Sequence, residues 1–416
     1  MNAPKAPDEK TSKTFIHRDL SWLEFNKRVL EEAQDSSNPL LERVKFLAIF
    51  VNNMDEFYMV RLAGLKRLVD SGYDKRDRFG YYPQDLLLEI SSKNEGLTKT
   101  LYETYRARMR ELAKEKILIK RYEELTPDQQ KFAKKYFDTA LFPIITPIAV
   151  DQSRPFPVLP SRAMALAVGL TRYDKAYLAI VNIPRNVPRL VKLPSEAGET
   201  ALIMTDELVR NNLEKLFKGY KTAGASLFRL IRDSEIEVDE EFEPDLLKAI
   251  DSEIKKRPRA KVVYLEVEKN CVPEIAEFLS QELAFPAEAI TRIDNREMDL
   301  TYLFGLASQT ARPDLMYRSF TPEAIEYENI FDKIKENNFV IHVPFQSFAP
   351  TVDLVRTAAS DPAVLAIKMT LYRTNDGSAI IGALKEAAKK GKQVTVLVEI
   401  KARFDEERNI GWAKEL

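Results

Sequence analysis

The chain has 416 residues, of which 45% are hydrophobic and 31% are charged, so it holds enough apolar material for several folded domains. Its formal net charge of -1 excludes a uniformly basic nucleic-acid-binding protein, but not a local basic pocket for a polyanion. The single cysteine, Cys271, excludes an intrachain disulfide and favours a reducing, cytoplasmic setting. No apolar run approaches the roughly 20 residues of a membrane span, so we expect no transmembrane segment.

The first region, residues 1–114, has the apolar spacing of a helical bundle. Ser21 with Glu24 forms a capping-box pattern, which predicts that the first helix begins at Ser21. Asn38-Pro39 predicts a second helix start, because proline is favoured at the first helical position. One long helix is expected over residues 83–115.

The second region, residues 115–318, mixes strand-like and helical runs without regular alternation, which predicts an α+β domain. Strands are expected over Ala163–Leu170 and Tyr177–Ile183, because both runs are short and apolar. A helix is expected over Ala201–Phe217.

The third region, residues 319–416, alternates strands and helices. Strands are expected at Val340–Val343, Val364–Leu371 and Val394–Ile400, with a turn at Asn375–Ser378 and a last helix over residues 405–416. Continuous apolar strands separated by helices predict a parallel sheet that is buried on both faces.

Basic side chains follow the second and third of these strands, where ligands bind in open parallel sheets. Arg373 follows the second strand, and Lys401 and Arg403 follow the third. Because neighbouring strand ends share one edge, these groups suit a phosphate chain, to which arginine offers a fork of two donors. In the alternative interpretation, the arginines only pair with Glu399 and Asp405. No P-loop or kinase-type glycine motif is present, which argues against those classes of enzyme.

For five other residues, the sequence alone indicates an ordinary structural role and no chemistry. Asn53 is expected to be a helix N-cap, and Asp55 a first-turn charge that complements the helix dipole. His342 is expected to pack inside a strand, His17 to be exposed, and Cys271 to be an inert small hydrophobe.

Several long segments resemble one family, the polyphosphate kinases, which are bacterial enzymes that polymerise the terminal phosphate of ATP. The matching segments, in chain order, are Leu20–Leu30, Asn38–Leu40, Asn52–Phe57, His342–Phe348, Ile367–Arg373 and Val398–Glu406. The resemblance extends over nearly the whole chain from about Phe15.

The resemblance implies a multidomain α and α/β fold. It would comprise a helical N domain (1–114), an α+β head domain (115–318) and the incomplete first of two phospholipase D-like catalytic domains (319–416), with a mainly parallel sheet. It also implies reversible transfer of the ATP γ-phosphate to inorganic polyphosphate through a phosphohistidine, with Mg²⁺. Partners would be ATP, ADP and polyphosphate, with no nucleic acid. The complete protein would be a cytoplasmic dimer or tetramer, with peripheral membrane association left open.

The resemblance assigns the ATP base contact to Asn53, and the phosphate and Mg²⁺ site to Arg373 and Arg403. Arginine has no lone pair for a metal, so both are interpreted as clamps on the phosphates that the ion bridges, with Lys401 as a supporting contact. The family's phosphorylated histidine follows these motifs and would lie beyond residue 416. His342 belongs to a separate motif, so we expect no catalytic residue in this chain and no turnover by it alone.

The sequence leaves two alternatives from other functional classes to consider. The chain could be a non-catalytic fragment that binds ATP or polyphosphate, or one that mediates dimer contacts. A phospholipase D-like phosphodiesterase would need paired His-x-Lys motifs, and the sequence has none.

Overall fold

The structure is a computed structural model that describes residues 15–150, 155–236, 245–373 and 377–415. It divides into two compact units. Unit 1 comprises residues 1–235 and 256–317, and unit 2 comprises residues 236–255 and 318–416. The expected domain boundaries after residues 114 and 318 stay predictions.

Fourteen α-helices are described. In chain order, α1 to α14 span Arg18–Gln34, Leu40–Phe57, Ala63–Asp70, Pro83–Lys114, Pro127–Tyr136, Thr205–Arg210, Leu213–Leu216, Leu246–Lys256, Pro273–Glu282, Leu306–Gln309, Ile330–Glu336, Ala349–Ser360, Ala379–Lys389 and Glu406–Glu415. Eleven strands are described. In chain order, β1 to β11 span Ile117–Lys120, Ile148–Val150, Met164–Arg172, Lys175–Asn182, Leu190–Lys192, Thr200–Met204, Lys221–Arg232, Val262–Glu268, Thr291–Ile293, Ala366–Leu371 and Gln393–Val398.

The N-terminal helical region of unit 1 forms as expected, but two of its helix starts differ from the prediction. Helix α1 begins at Arg18 rather than Ser21, because the Nδ1 atom of His17 caps it by accepting a hydrogen bond from the Asp19 amide at 3.1 Å. No helix begins at Asn53, since α2 runs unbroken to Phe57 and continues into α3 through a π-helical turn. The expected long helix is confirmed as α4.

Unit 1 contains two sheets. The first has the order β1-β6-β5, with β1 parallel to β6 and β5 antiparallel to it. The second has the order β2-β4-β3-β7-β8-β9 and is antiparallel except for the last pair. The expected helix at 201–217 is wrong in its first part, which forms the fully buried strand β6. The run Ala201–Met204 has no polar residue that could face solvent on a helix.

The helices and sheets of unit 1 share a hydrophobic core. Leu47 and Phe50 from α2 belong to the same cluster of buried residues as Leu202, Ile231 and Leu300. Burial of each such side chain contributes about 1.5–3 kcal/mol. The core therefore holds α2 firmly in position against the sheets.

Unit 2 contains the parallel pair β10 and β11, in register from Ala366 with Gln393 to Leu371 with Val398. Helices α12, α13 and α14 contribute to its hydrophobic core, which includes Val355, Leu384 and Trp412. Together with unit 1, this parallel pair confirms the expected multidomain α and α/β fold.

Two predictions for unit 2 are wrong, and a third falls partly on residues outside the described ranges. Residues 340–343 form no strand, and His342 lies exposed near a turn. Strands β10 and β11 are not buried on both faces, since every second residue up to Thr370 and Leu397 is exposed. The prediction weighed the apolar residues of each strand and overlooked the polar residues that alternate with them, such as Lys368 and Thr395, which lie on the open face. Of the predicted turn at 375–378, residues 375 and 376 lie outside the described residues.

Candidate functional site

The ends of β10 and β11 bring Arg373 and Arg403 together. The Nη2 atom of Arg373 donates a hydrogen bond to the backbone carbonyl of Arg403 at 3.1 Å. Parallel pairing in register places the chain segments after Leu371 and Val398 side by side, as the sequence predicted. Lys401 lies on the same segment as Arg403, with its backbone amide donating to the Glu399 carboxylate at 2.9 Å.

Arg373 also pairs with a carboxylate. Its Nε atom lies 3.0 Å from Asp405, which in turn accepts from Arg408 at 2.8 Å. The alternative interpretation, that Arg373 forms an ion pair, is therefore confirmed for Asp405. The pairing does not remove Arg373 from solvent, because its side chain is 52% exposed. Asp405 therefore orients a guanidinium that a phosphate can still reach.

Asn409 ties the two strand ends to each other, and sequence reasoning missed it. This residue of α14 is 1% exposed. Its Nδ2 atom donates to the carbonyl of Tyr372 at 2.9 Å and to that of Glu399 at 2.6 Å. The sequence carried one signal for this role: Asn409 lies beside the apolar residues of an amphipathic helix. A side-chain amide that is buried there needs hydrogen-bond partners.

Asn53 lies inside α2, so the N-cap interpretation is wrong. Its Nδ2 atom donates to the Oδ1 atom of Asn26 at 3.0 Å. Asn26 is fully buried on α1 and donates from its own Nδ2 to the carbonyl of Phe50 at 3.2 Å. Asn53 itself is half-buried.

A buried charge cluster lies on the next turn of α2. Asp55 is 1% exposed and pairs with Arg229 of β7, which also donates to Glu266 of β8 at 3.4 Å. The first-turn interpretation of Asp55 is therefore wrong. Burial raises the pKa of Asp55. Burial likewise raises the pKa of Glu266 to about 7, against the opposing effect of Arg229.

Three family models match the chain in consecutive order. They are the polyphosphate kinase N-terminal domain over residues 15–120, the middle domain over 128–306 and C-terminal domain 1 over 329–416. The chain belongs to the polyphosphate kinase family. The predicted resemblance is thereby confirmed at the level of the family.

Individual proteins of the polyphosphate kinase family agree with this. The chain is 42% identical to a polyphosphate kinase of an Exiguobacterium species, with 98% of this chain and 58% of the relative covered. It is 43% identical to that of Bacillus anthracis, with 97% and 59% covered. The crystal structure of polyphosphate kinase from Porphyromonas gingivalis superimposes with a TM-score of 0.73 at 25% identity, covering 96% of this chain and 58% of that one. The chain thus spans about three fifths of the length of these relatives.

Three other candidate residues remain, and two of them differ from the sequence prediction. His17 is buried, with its Nε2 atom 3.0 Å from Asp77, so the expectation of exposure is wrong. His342 is exposed and stacks at a tilt on Phe345, so the expectation of core packing is also wrong. Cys271 is buried, and burial raises the pKa of its thiol, which agrees with an inert residue.

Two kinds of feature are absent from the described residues. No helix in that part of the chain is both long and apolar enough to span a membrane. Residues 15–150, 155–236, 245–373 and 377–415 contain no group of three or more His, Cys, Asp or Glu side chains that could hold a metal ion. The described residues at the strand ends of unit 2 therefore bring together no such group.

Proposed function

We propose that the complete protein is a polyphosphate kinase that transfers the γ-phosphate of ATP reversibly to inorganic polyphosphate through a phosphohistidine. The observation that carries this proposal is the ordered match of three polyphosphate kinase domain models along one chain. The arginine pair at the strand ends of unit 2 supports it, because these groups suit the binding of a phosphate chain.

In this proposal Arg373 and Arg403 hold the phosphates, and Lys401 adds positive charge. Phosphoryl transfer depends mainly on positioning and on neutralising the charge that spreads over the phosphoryl oxygens. Arg373 is suited to this because Asp405 fixes its orientation while its side chain stays half exposed. The attacking histidine is assigned to neither His17 nor His342, since the first is buried and the second belongs to another motif.

Within unit 1, we assign Asn53 to the ATP base, as the family resemblance implies. Asn53 is not a helix N-cap, so capping does not explain this residue type at this position. A half-buried asparagine in a helix interior is slightly unfavourable for the helix, so a hydrogen-bonding role accounts better for its presence.

The described residues offer Mg²⁺ no complete set of ligands. Arginine side chains offer no lone pair, and the described residues bring together no set of three metal-ligating side chains. We therefore assign no residue of this chain as a metal ligand, and treat Mg²⁺ as an ion carried by the phosphates of ATP. ADP and polyphosphate as partners, a homo-oligomer, a cytoplasmic location and the three-domain division belong to the same proposal.

The test uses the purified product of the complete gene with Mg²⁺ and ATP labelled at the γ-phosphate. Label in acid-insoluble polyphosphate, together with acid-labile label on the protein, is the expected result. Binding of ATP without transfer would instead favour the alternative of a non-catalytic binding protein. Acid-labile label on a protein ending at Leu416 would contradict our assignment of the histidine, because His17 or His342 would then be the acceptor.

A further inference from the structure

Two asparagine side chains form a relay in unit 1. Asn53 of α2 donates from Nδ2 to Oδ1 of Asn26, which lies on α1. Asn26 donates from its own Nδ2 to the backbone carbonyl of Phe50, one turn before Asn53 on α2. Asn26 is 0% exposed, so water cannot replace either partner.

The Phe50 carbonyl determines the direction of both amides. A side-chain amide can present either its oxygen or its nitrogen to a neighbour, but a carbonyl can only accept a hydrogen bond. Asn26 must therefore turn its Nδ2 towards Phe50 and its Oδ1 towards Asn53. Asn53 must then turn its own Nδ2 inward. Reversing either amide would bury two acceptors against each other, at a cost of about 1–3 kcal/mol.

The relay leaves a defined polar face on Asn53. Within the described part of the chain, no residue hydrogen-bonds to its Oδ1, and this atom is not among the polar atoms that are buried without a partner. Asn53 therefore presents an acceptor to solvent, beside the second hydrogen of its Nδ2. An asparagine in this orientation can bind the 6-amino group and N7 of adenine together.

We propose that Asn26 is a positioning residue that fixes the direction of the Asn53 amide, and that this selects purines with a 6-amino group over purines with a 6-oxo group. The inference rests on the proposed function, since it takes Asn53 as the base contact. A 6-oxo purine places an acceptor against the outward Oδ1, and the fixed amide cannot turn to relieve it. Without Asn26 the amide can turn and accept either base.

The burial of Asn26 among apolar side chains supports this role. Asn26 lies on the face of α1 that also buries Leu23 and Leu30. An apolar residue of similar size costs little at such a site when neither remaining partner is left unsatisfied. The Phe50 carbonyl lies inside α2 and keeps an intrahelical donor, and the half-buried Asn53 can turn its amide to solvent. This indicates that the direction of the Asn53 amide is what Asn26 provides.

The first part of the experiment measures binding of Mg-ATP and Mg-ITP to the whole 416-residue chain by calorimetry. ITP differs from ATP only in the 6-position and the adjoining ring proton, so the ratio of the two Kd values reports the contact. We expect the unmodified chain to favour ATP by on the order of tenfold. Asn53→Ala should weaken ATP binding and bring the ratio close to one.

Two variants at position 26 separate positioning from stability. Asn26→Leu should bring the ATP-to-ITP ratio close to one, because nothing then orients Asn53. Asn26→Asp keeps an acceptor towards Asn53 in either protonation state, so the preference for ATP should persist. The aspartate variant should nevertheless be the less stable of the two by thermal denaturation, since it buries a carboxyl group. If Asn26 served only the fold, the two variants would lose ATP affinity in the order of their loss of stability. Asn26→Asp would then bind ATP more weakly than Asn26→Leu.

The outcomes distinguish this inference from the proposed function. If Asn53→Ala leaves ATP affinity unchanged, the base assignment fails and the relay fails with it. If Asn53→Ala weakens ATP binding but folded Asn26→Leu keeps the preference for ATP, the base assignment stands and the relay is overturned. Should Asn26→Asp not fold, the comparison of Asn26→Leu with the unmodified chain decides the question by itself.

Discussion

At the scale of single residues, Asn53 joins two helices, because its side chain donates from the interior of α2 to Asn26 of α1. The sequence placed Asn53 and Asp55 at a helix start, where both would have had ordinary capping and dipole roles. The continuous helix α2 removes those roles, and leaves Asn53 paired with Asn26 and Asp55 buried against Arg229. The sequence could not reveal this. An asparagine at position 53 followed by a glutamate at position 56 is compatible with a helix start, but equally with the interior of an amphipathic helix.

Replacing Asn53 by alanine separates a binding role from a structural one. Asn53→Ala removes the donor to the buried Oδ1 of Asn26, which outweighs the better helix propensity of alanine, so Tm should fall slightly. The KM for ATP of the complete enzyme should rise about tenfold or less, which is the range of one or two hydrogen bonds. Steady-state kinetics and a thermal melt on the same preparation check both parts. A lower Tm with an unchanged KM would show that the side chain serves only the fold.

At the scale of elements, buried polar side chains join helices to strands in each unit. In unit 2, α14 is tied to the ends of β10 and β11 through Asn409. In unit 1, α2 is tied to β7 and β8 through Asp55, Arg229 and Glu266. Neither connection was predictable, because each joins residues that are far apart in sequence and that ordinary patterns place on the surface.

Asn409→Leu should disturb the strand ends that carry the arginines. The change leaves the carbonyls of Tyr372 and Glu399 without their shared donor, at a cost of about 1–3 kcal/mol. We expect a lower unfolding midpoint in urea and weaker binding of inorganic tripolyphosphate, although no arginine has been removed. Glu407→Gln, an exposed change on the same helix, is the matched control and should alter neither. Unchanged tripolyphosphate affinity in a folded Asn409→Leu chain would show that the tie does not position the arginines.

Glu266 should make the stability of the protein fall as the pH rises through neutrality. Burial raises its pKa from 4.5 to about 7, so the folded state holds this proton more tightly than the unfolded state. The contribution is complete below the lower value and is lost as the pH rises through the upper one, with a size on the order of 3 kcal/mol. Urea unfolding at a series of pH values from about 5 to 8 measures it.

The comparison for that measurement is Glu266→Gln, which keeps an acceptor for Arg229 but does not titrate. Its unfolding free energy should vary less with pH than that of the unmodified chain across the same interval. Parallel curves for the two proteins would mean that Glu266 is ionised in the folded state throughout.

At the scale of the whole molecule, the sequence predicted the fold class, most long helices and the parallel pairing of β10 with β11. These features follow from long periodic runs. It also placed Arg373 and Arg403 side by side, because the βαβ step fixes the spacing of neighbouring strand ends. It failed where tertiary contacts decided the outcome, as in the strand β6 within an expected helix and the buried position of His17.

The central claim is that the strand ends of unit 2 bind a phosphate chain through Arg373 and Arg403. Calorimetric titration of the 416-residue chain with inorganic tripolyphosphate tests it most directly, for the unmodified protein, Arg373→Ala, Arg403→Ala and the exposed control Arg110→Ala from unit 1. We predict that each of the first two changes weakens binding at least about tenfold and lessens its dependence on salt, while the control has no effect. Equal affinity of all four proteins would contradict the claim and leave the two arginines with a structural role alone.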